Sequence, residues 1–210
     1  MKLGIVGCGA MGRTLASWAM EEGTFETIHM IEPMERGSWP EEKMDLLIDF
    51  SHPDALQDIY DYCRRQGGNI PVVLATTGYG PEQDMLVGLL EKICPVERSS
   101  NYSRGIRIMT ELCRLAGNLA GEGCDIRMTE VHHTRKKDAP SGTAKNLAAV
   151  LGLDYQNHDR VQSMRMGSVC GEHTVYFAME DEVLEIRHTA FSRKIFAVGA
   201  LEAGKNLLNH

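Results

Sequence analysis

The chain has 210 residues, of which 43% are hydrophobic and 24% are charged, and its net charge is −7. This acidic balance gives no electrostatic support for nucleic-acid binding, and no apolar run reaches the roughly 18 to 20 residues of a membrane span. The six cysteines form no CxxC pair and the first residues do not resemble a signal peptide, so we expect a cytoplasmic protein with reduced thiols.

The first half of the chain alternates short apolar strands with helices. Strands are predicted at 3–6, 27–31, 45–50, 71–75 and 95–99. Helices are predicted at 10–21, about 53–65 and 81–93. Strands and helices that alternate at this spacing predict a parallel, doubly wound sheet.

The pattern changes after about residue 103. Helices are predicted at 106–120, 141–151 and 194–208. Strands are predicted at 124–133, 160–168, 173–179 and 183–190. Several strands without helices between them indicate an α+β domain with a mostly open sheet, and the last helix could pack back on the first domain.

A glycine-rich loop, Gly7-Cys8-Gly9-Ala10-Met11-Gly12, directly follows the first strand and begins the first helix. In such a loop Gly7 permits a tight turn, Gly9 lets the backbone approach a pyrophosphate, and Gly12 lets helix and strand pack closely. The helix N-terminus then offers unpaired N–H groups to the phosphates. The loop therefore predicts a dinucleotide site, with a plain structural turn as the alternative.

Glu32 ends the second strand, 20 positions after Gly12. A carboxylate there accepts hydrogen bonds from the adenosine ribose, which favours NADH, although the same residue is also compatible with a solvated strand end. Arg13 and Arg36 are the nearest cations that could meet a 2′-phosphate, and neither follows Glu32 directly, so NADPH stays a second option. Residues 75–78 end the fourth strand, where open α/β sheets bind ligands. They suit a nicotinamide ribose or carboxamide, with an ordinary strand-to-loop turn as the alternative.

The densest chemistry lies in residues 130–144. Ser141 or a neighbour is predicted to cap the helix that follows, and the hydroxyls and N–H groups around Gly142 would bind an anion such as a carboxylate. Upstream, two histidines and Lys136 supply proton donors and positive charge. An acidic substrate bound at the helix end would bring its reacting atoms close to them.

Simpler interpretations of this segment were weighed against that one. The His132-His133 pair could bind a metal, but no Cys or Glu cluster with zinc spacing accompanies it, so no metal is expected. The run 135–137 could be a solvated loop, and Asp138 could pair with a nearby cation.

The segment resembles the signature of the dihydrodipicolinate reductase family. The matching residues are Glu130-Val131-His132-His133-x-x-Lys136-x-Asp138-Ala139-Pro140-Ser141-Gly142-Thr143-Ala144. Further matching stretches are 7–13, 49–51, 75–78, 100–103, 171–174 and 196–200. The resemblance spans nearly the whole chain, which is short for the family and has only residues 35–42 where many members carry an extra segment.

The resemblance implies an α/β fold with a Rossmann-like parallel sheet at 1–103, completed by 192–210. A second α+β domain with an open mixed sheet, 104–191, would bind substrate and build a homotetramer. The implied cofactor-binding residues are Gly7, Gly9, Ala10, Met11, Gly12, Glu32, Phe50, Ala75, Thr76, Thr77, Gly78, Ser100, Asn101 and Tyr102.

The implied reaction is NAD(P)H-dependent reduction of 4-hydroxy-tetrahydrodipicolinate, a small dicarboxylate, to tetrahydrodipicolinate in lysine and diaminopimelate biosynthesis. His132 would be the general acid, and Lys136 the proton donor or electrostatic stabiliser. The residues that would hold the substrate carboxylates are His133, Ser141, Gly142, Thr143 and Thr77. Which of His132 and Lys136 delivers the proton stays open, since both are suited to it.

Two departures from the family pattern stand out. Tyr102 and Arg104 occupy positions where relatives often have Phe and a small or apolar residue, and Pro33-Met34 lack the arginine that some dual-cofactor members carry after the acidic residue. One alternative function is a related dehydrogenase acting on aspartate or homoserine, which would explain the glycines and Glu32 but not the segment 132–143. The other is a non-catalytic cofactor-binding module.

Overall fold

The computed structural model describes residues 1–209 and, for Arg36, the backbone alone. The strands are β1 (Lys2–Val6), β2 (Thr27–Ile31), β3 (Leu46–Asp49), β4 (Val72–Leu74), β5 (Val96–Arg98), β6 (Asp125–His132), β7 (Val161–Arg165), β8 (Gly171–Ala178) and β9 (Val183–Ala190). The helices are α1 (Ala10–Glu22), α2 (Leu56–Arg65), α3 (Pro81–Leu90), α4 (Arg104–Ala120), α5 (Gly142–Val150) and α6 (Lys194–Leu208). The chain divides into two compact units, Met1–Tyr102 with α6 and Ser103–Arg193.

The first unit contains a five-stranded parallel sheet with the order β2-β1-β3-β4-β5. Val6 of β1 pairs with Ile31 on one side and with Asp49 on the other, so the carboxyl ends of these strands meet at one edge. Strands β3 and β4 are wholly buried, as expected for parallel strands covered on both faces. The ligand-binding edge of the sheet is therefore the edge that carries the glycine loop.

Two hydrophobic clusters cover the two faces of this sheet. Helices α2 and α3 contribute Leu56, Ile59 and Leu90 to one cluster, and α1 and α6 contribute Leu15 and Leu201 to the other. Helix α6 approaches the sheet closely, since a Cβ at Gly204 would lie 2.6 Å from the Leu46 side chain. These layers make the first unit a doubly wound α/β structure.

The second unit contains a mixed sheet with the order β7-β6-β8-β9. Strands β6 and β7 are parallel, whereas β8 pairs antiparallel with β6 and β9. Helices α4 and α5 cover it through a core that includes Met109, Cys113, Leu147, Val175 and Phe177. The hydroxyl of Ser103 caps α4 by accepting a hydrogen bond from the Ile106 N–H at 3.3 Å.

The predicted fold class, a parallel Rossmann-like sheet with a second mixed sheet, is confirmed. Some predicted boundaries were wrong. The helix predicted at 81–93 ends at Leu90. The strand predicted at 160–168 ends at Arg165 because the chain turns at Gly167, whose φ is 49°. Within residues 1–209, no helix combines the length and apolar character needed to cross a membrane.

Candidate active site

The glycine loop is built by two close backbone approaches. Gly7 has a φ of 103°, and a Cβ there would lie 2.5 Å from the Phe50 carbonyl oxygen. A Cβ at Gly12 would lie 1.9 Å from the Gly7 carbonyl oxygen. A side chain at Gly9, by contrast, would meet no atom within 4 Å, so the backbone at the start of α1 is open to a ligand.

A cavity of about 410 Å³ lies at the carboxyl edge of the first sheet. Its lining residues are Met11, Phe50, Ser51, His52, Pro53, Ala75, Thr76, Thr77 and Gly78. Six of these nine were predicted as ligand-binding residues, and Ser51, His52 and Pro53 were not. Its volume lies in the range of small-molecule sites, so a cofactor ring could be accommodated there.

Asp49, at the end of β3, holds the loops beside this cavity through hydrogen bonds. Its Oδ1 accepts a hydrogen bond from the Ser51 N–H at 3.0 Å, and its Oδ2 accepts one from the Tyr79 hydroxyl at 3.3 Å. Thr76 Oγ1 also accepts from the Ser51 N–H, at 2.9 Å. Burial raises the pKa of Asp49, although these hydrogen bonds oppose the change. Asp49 therefore connects the loops that follow β3 and β4.

Glu32 directly follows β2 and is half-buried beside the glycine loop. Burial and the neighbouring Glu32 carboxylate raise the pKa of the Cys8 thiol. Arg13 donates a 2.6 Å hydrogen bond to the Cys8 carbonyl oxygen. The side chain of Arg36, the other cation considered for a 2′-phosphate, lies outside the described residues.

The predicted cofactor residues 100–102 follow β5. Tyr102 is buried, and its hydroxyl lies 3.2 Å from the Leu74 carbonyl oxygen and 3.0 Å from that of Glu97. The Ser99 hydroxyl donates to the Asn101 carbonyl oxygen at 2.9 Å. The Tyr102 hydroxyl therefore forms its hydrogen bonds within the first unit.

In the second unit, Glu130 and His132 lie two residues apart on β6 and share one face of the strand. The Glu130 carboxylate, which is 0% exposed, forms a hydrogen bond with His132 Nδ1. Arg165 binds both carboxylate oxygens, with Nη1 3.1 Å from Oε2 and Nη2 2.9 Å from Oε1. Burial opposes the charge of Glu130, but the hydrogen bonds from His132 and Arg165 prevail and lower its pKa to about 2.

Ser141 caps α5 and connects it to the same network. Its hydroxyl accepts a hydrogen bond from the Ala144 N–H at 3.2 Å, and its own N–H donates to Glu130 Oε1 at 3.2 Å. Gly142, in the first turn of α5, is exposed, whereas Thr143 is half-buried. The start of α5 therefore presents backbone N–H groups suited to a carboxylate.

Lys136 and His133 lie in the loop between β6 and α5. Lys136 Nζ is 2.8 Å from Asp138 Oδ1, so the expected pairing of Asp138 with a nearby cation is confirmed. Arg193 Nη2 is 3.4 Å from His133 Nε2. Burial and the charges of Arg193 and Arg135 lower the pKa of His133, which marks this loop as a cationic region suited to an anionic ligand.

The structure thus brings His132, His133, Lys136, Ser141, Gly142 and Thr143 together in the second unit, whereas Thr77 lines the cavity of the first. Three further residues at the site had no predicted role: Glu130, Arg165 and His173. A period of two along β6 could have identified Glu130. Arg165 carries no such signal, because only strand pairing places it opposite His132. Among the described residues, no group of three or more His, Cys, Asp or Glu side chains could hold a metal ion.

His173 makes stability depend on pH. It is 3% exposed, its Nε2 is 3.1 Å from Ser141 Oγ, and burial and nearby His132 lower its pKa to about 3 from 6.5. Below about pH 6.5 this histidine becomes protonated in the unfolded chain but stays neutral in the folded protein. Acidification from about pH 7 to pH 5 should therefore lower the free energy of unfolding by about 2 kcal/mol through His173.

Urea unfolding at both pH values tests this prediction. His173→Gln should lose less stability on acidification than the parent chain, whereas His158→Gln, at an exposed position, should not differ from the parent. Equal acid sensitivity of His173→Gln and the parent would contradict it.

Comparisons with known proteins agree across both units. The family model described as dihydrodipicolinate reductase, N-terminus, matches residues 1–102, and the one described as dihydrodipicolinate reductase, C-terminus, matches 105–210. The 4-hydroxy-tetrahydrodipicolinate reductase of Thermosipho africanus is 38% identical over 210 residues, covering 100% of this chain and 92% of that protein. The enzyme of the same name from Staphylococcus aureus is 35% identical, covering 100% of this chain and 95% of that protein.

Solved structures show the same fold. A dipicolinate-bound dihydrodipicolinate reductase from Paenisporosarcina sp. TG-14 superposes with a TM-score of 0.73 at 20% identity, covering 100% of this chain and 95% of that one. An aspartate dehydrogenase from Thermotoga maritima has a TM-score of 0.53 at 14% identity, covering 99% and 96%. At these identities both structural likenesses show only the fold. The assignment to dihydrodipicolinate reductases rather than aspartate dehydrogenases therefore depends on the family models and the sequence relatives.

Proposed function

The chain belongs to the dihydrodipicolinate reductase family, and we infer from this membership that it reduces 4-hydroxy-tetrahydrodipicolinate to tetrahydrodipicolinate in lysine and diaminopimelate biosynthesis. It is an oxidoreductase that depends on a pyridine nucleotide. The observation that carries the substrate assignment is the cluster of His132, Lys136 and the capped N-terminus of α5 in the second unit.

The first unit, with α6, binds the cofactor in this proposal. The open backbone at Gly9, the close approaches at Gly7 and Gly12 and the 410 Å³ cavity all fit a dinucleotide. The N–H groups at the start of α1, around Ala10, would hold the pyrophosphate. The nicotinamide would occupy the cavity between Met11 and residues 75–78, with Phe50 and residues 100–102 beside it. When bound, the dihydronicotinamide supplies the hydride.

The second unit binds the dicarboxylate. After the substrate loses water, a conjugated C=C–C=N system accepts a hydride and a proton. His133, the Ser141 hydroxyl and the N–H groups near Gly142 and Thr143 hold the carboxylates. Negative charge develops on the ring during reduction, so the Lys136 cation stabilises it and His132 or Lys136 returns a proton.

We also propose that the protein is a homotetramer and that its second unit forms the subunit interfaces. One face of α4 exposes apolar side chains at helical spacing: Ile108, Leu112, Leu115 and Leu119, which is 76% exposed. Leu112, Leu115 and Leu119, together with side chains of β8 and β9, border an apolar groove of about 490 Å³. A contiguous exposed apolar surface of this kind marks a protein interface. The family membership and the free cysteines support a cytoplasmic enzyme.

A coupled assay tests the reaction. Dihydrodipicolinate synthase, pyruvate and aspartate semialdehyde generate the substrate, and oxidation of NADH and NADPH is followed in parallel reactions. We expect synthase-dependent oxidation that is faster with NADH. No oxidation with either cofactor would redirect the assignment to a dehydrogenase acting on aspartate or homoserine, or to a non-catalytic module.

NADH is the preferred cofactor in this proposal because Glu32 would accept hydrogen bonds from the adenosine ribose. Glu32→Ala should weaken NADH binding by about tenfold to hundredfold, which is the range expected for a hydrogen bond to a charged group, and should weaken NADPH binding less. Fluorescence titration with each cofactor measures both changes. Glu35→Ala removes an exposed carboxylate three residues further on and serves as the matched control. A greater loss of NADPH than of NADH affinity would overturn the preference.

A further inference from the structure

We propose that the buried Glu130–Arg165 ion pair is the positioning device of the substrate site. It holds His132 so that the imidazole exchanges its catalytic proton through Nε2. The Glu130 carboxylate also connects His132 to the N-terminus of α5, where the substrate carboxylate would bind. The proposal deepens the function proposed above and depends on it for the identity of the reaction.

The first argument is that both oxygens of the Glu130 carboxylate accept two hydrogen bonds each. Oε2 accepts from Arg165 Nη1 at 3.1 Å and from His132 Nδ1. Oε1 accepts from Arg165 Nη2 at 2.9 Å and from the Ser141 N–H at 3.2 Å. Each oxygen thus joins the arginine to one functional segment: Oε2 to the acid and Oε1 to the N-cap of α5. Moving either segment would leave a buried carboxylate oxygen with one partner fewer.

The second argument is that Arg165 extends the same connection to the lysine loop. Besides binding Glu130, Nη2 donates to the Asp138 carbonyl oxygen. The side chain of Asp138 forms the 2.8 Å ion pair with Lys136. Both proton-donor candidates and the start of α5 are therefore attached, within one or two contacts, to this ion pair.

The third argument concerns which ring nitrogen of His132 carries the proton. Glu130 is ionised, since its pKa is lowered to about 2 by His132 and Arg165 despite burial, so its carboxylate is only an acceptor. The nitrogen that faces it, Nδ1, must then carry a hydrogen. Proton exchange with a substrate falls to Nε2.

The surroundings of Nε2 are consistent with this assignment. A Cβ at Gly171 would lie 3.1 Å from His132 Nε2, so the absence of a side chain at that position leaves room at this nitrogen. The His173 ring packs edge-on at 5.2 Å between centroids and does not approach through a hydrogen bond to His132.

A purely stabilising role explains the pair less well. Buried ion pairs contribute little net stability compared with apolar residues of similar size, while removing one partner is strongly destabilising. A device for orientation, by contrast, needs both charges and both oxygens in place. The two roles differ in what happens when both charges are removed together.

The test compares Glu130→Gln, the double variant Glu130→Gln with Arg165→Met, and Asp125→Asn. Asp125 lies on the same strand β6 and pairs with Arg160 and Arg127 away from His132, so it is the matched control. For each variant, kcat, KM, NADH affinity and the free energy of unfolding are measured. The 15N NMR signals of the His132 imidazole report its tautomer.

Glu130→Gln should lower kcat by at least about tenfold with a smaller change in KM and unchanged NADH affinity, and His132 should lose its uniform Nδ1–H tautomer. The double variant leaves no unpaired buried charge, so its stability should recover while kcat stays low. Asp125→Asn should match the parent chain in every measurement.

The proposal is overturned if Glu130→Gln keeps the parent kcat and tautomer, or if the double variant regains turnover together with stability. A parent chain that oxidises neither cofactor in the coupled assay would refute the proposed function instead. In that case the tautomer of His132 in the parent and in Glu130→Gln still decides whether Glu130 positions the ring.

Discussion

His132→Ala and Lys136→Ala should each lower kcat by about 10²–10⁴-fold and leave NADH affinity unchanged. In the proposed mechanism each variant removes a group that donates a proton to the reduced ring or stabilises its developing charge, and effects of this size are usual for such groups. Both side chains belong to the second unit, whereas all the predicted dinucleotide residues belong to the first. Steady-state kinetics in the coupled assay and NADH fluorescence titration measure the two quantities separately.

Lys137→Ala is the matched control for this result. Lys137 is the exposed neighbour of Lys136 in the same basic run, and its removal changes the local charge by the same amount. It should keep nearly the parent turnover. If both His132→Ala and Lys136→Ala lost cofactor affinity to the same degree as turnover, the assignment of their roles would be wrong.

Gly12→Ala should lower folding stability and Gly9→Ala should lower cofactor affinity, although the two residues lie three positions apart in the same loop. A Cβ at Gly12 would lie 1.9 Å from the Gly7 carbonyl oxygen, so helix α1 must move away from β1, and the free energy of unfolding should fall by more than about 3 kcal/mol. A Cβ at Gly9 meets no atom within 4 Å, and the change in stability should stay below about 1 kcal/mol.

The main expected effect of Gly9→Ala is a loss of cofactor affinity. The open space above Gly9 is the place where a pyrophosphate approaches the backbone, so the alanine methyl group should lower NADH affinity by about tenfold or more. Thermal unfolding and NADH titration of the two variants provide the comparison. A Gly9→Ala protein that binds NADH as the parent does would show that the loop is a structural turn.

Local signals in the sequence were sufficient for much of this protein. The glycine spacing after an apolar strand, the N-cap at Ser141 and the alternation of short strands with helices are set by interactions within a few residues. For that reason the parallel first sheet and an open second sheet were predicted, and the cap of α5 was predicted at Ser141 or a neighbour and occurs at Ser141. The family signature at 130–144 added the reaction, which composition and periodicity do not contain.

Only the tertiary structure decided how the groups around His132 are held. Glu130 and Arg165 are 35 positions apart, and they meet because β6 and β7 pair in parallel with His132 opposite Arg165. His173 joins them because β8 pairs antiparallel with β6 so that it lies opposite Glu130. Strand register is set by packing over the whole unit, and no local pattern around Arg165 or His173 records it. The sequence by itself therefore identified the candidate residues for the chemistry, while the pairing of distant strands determined the buried ion pair beside His132.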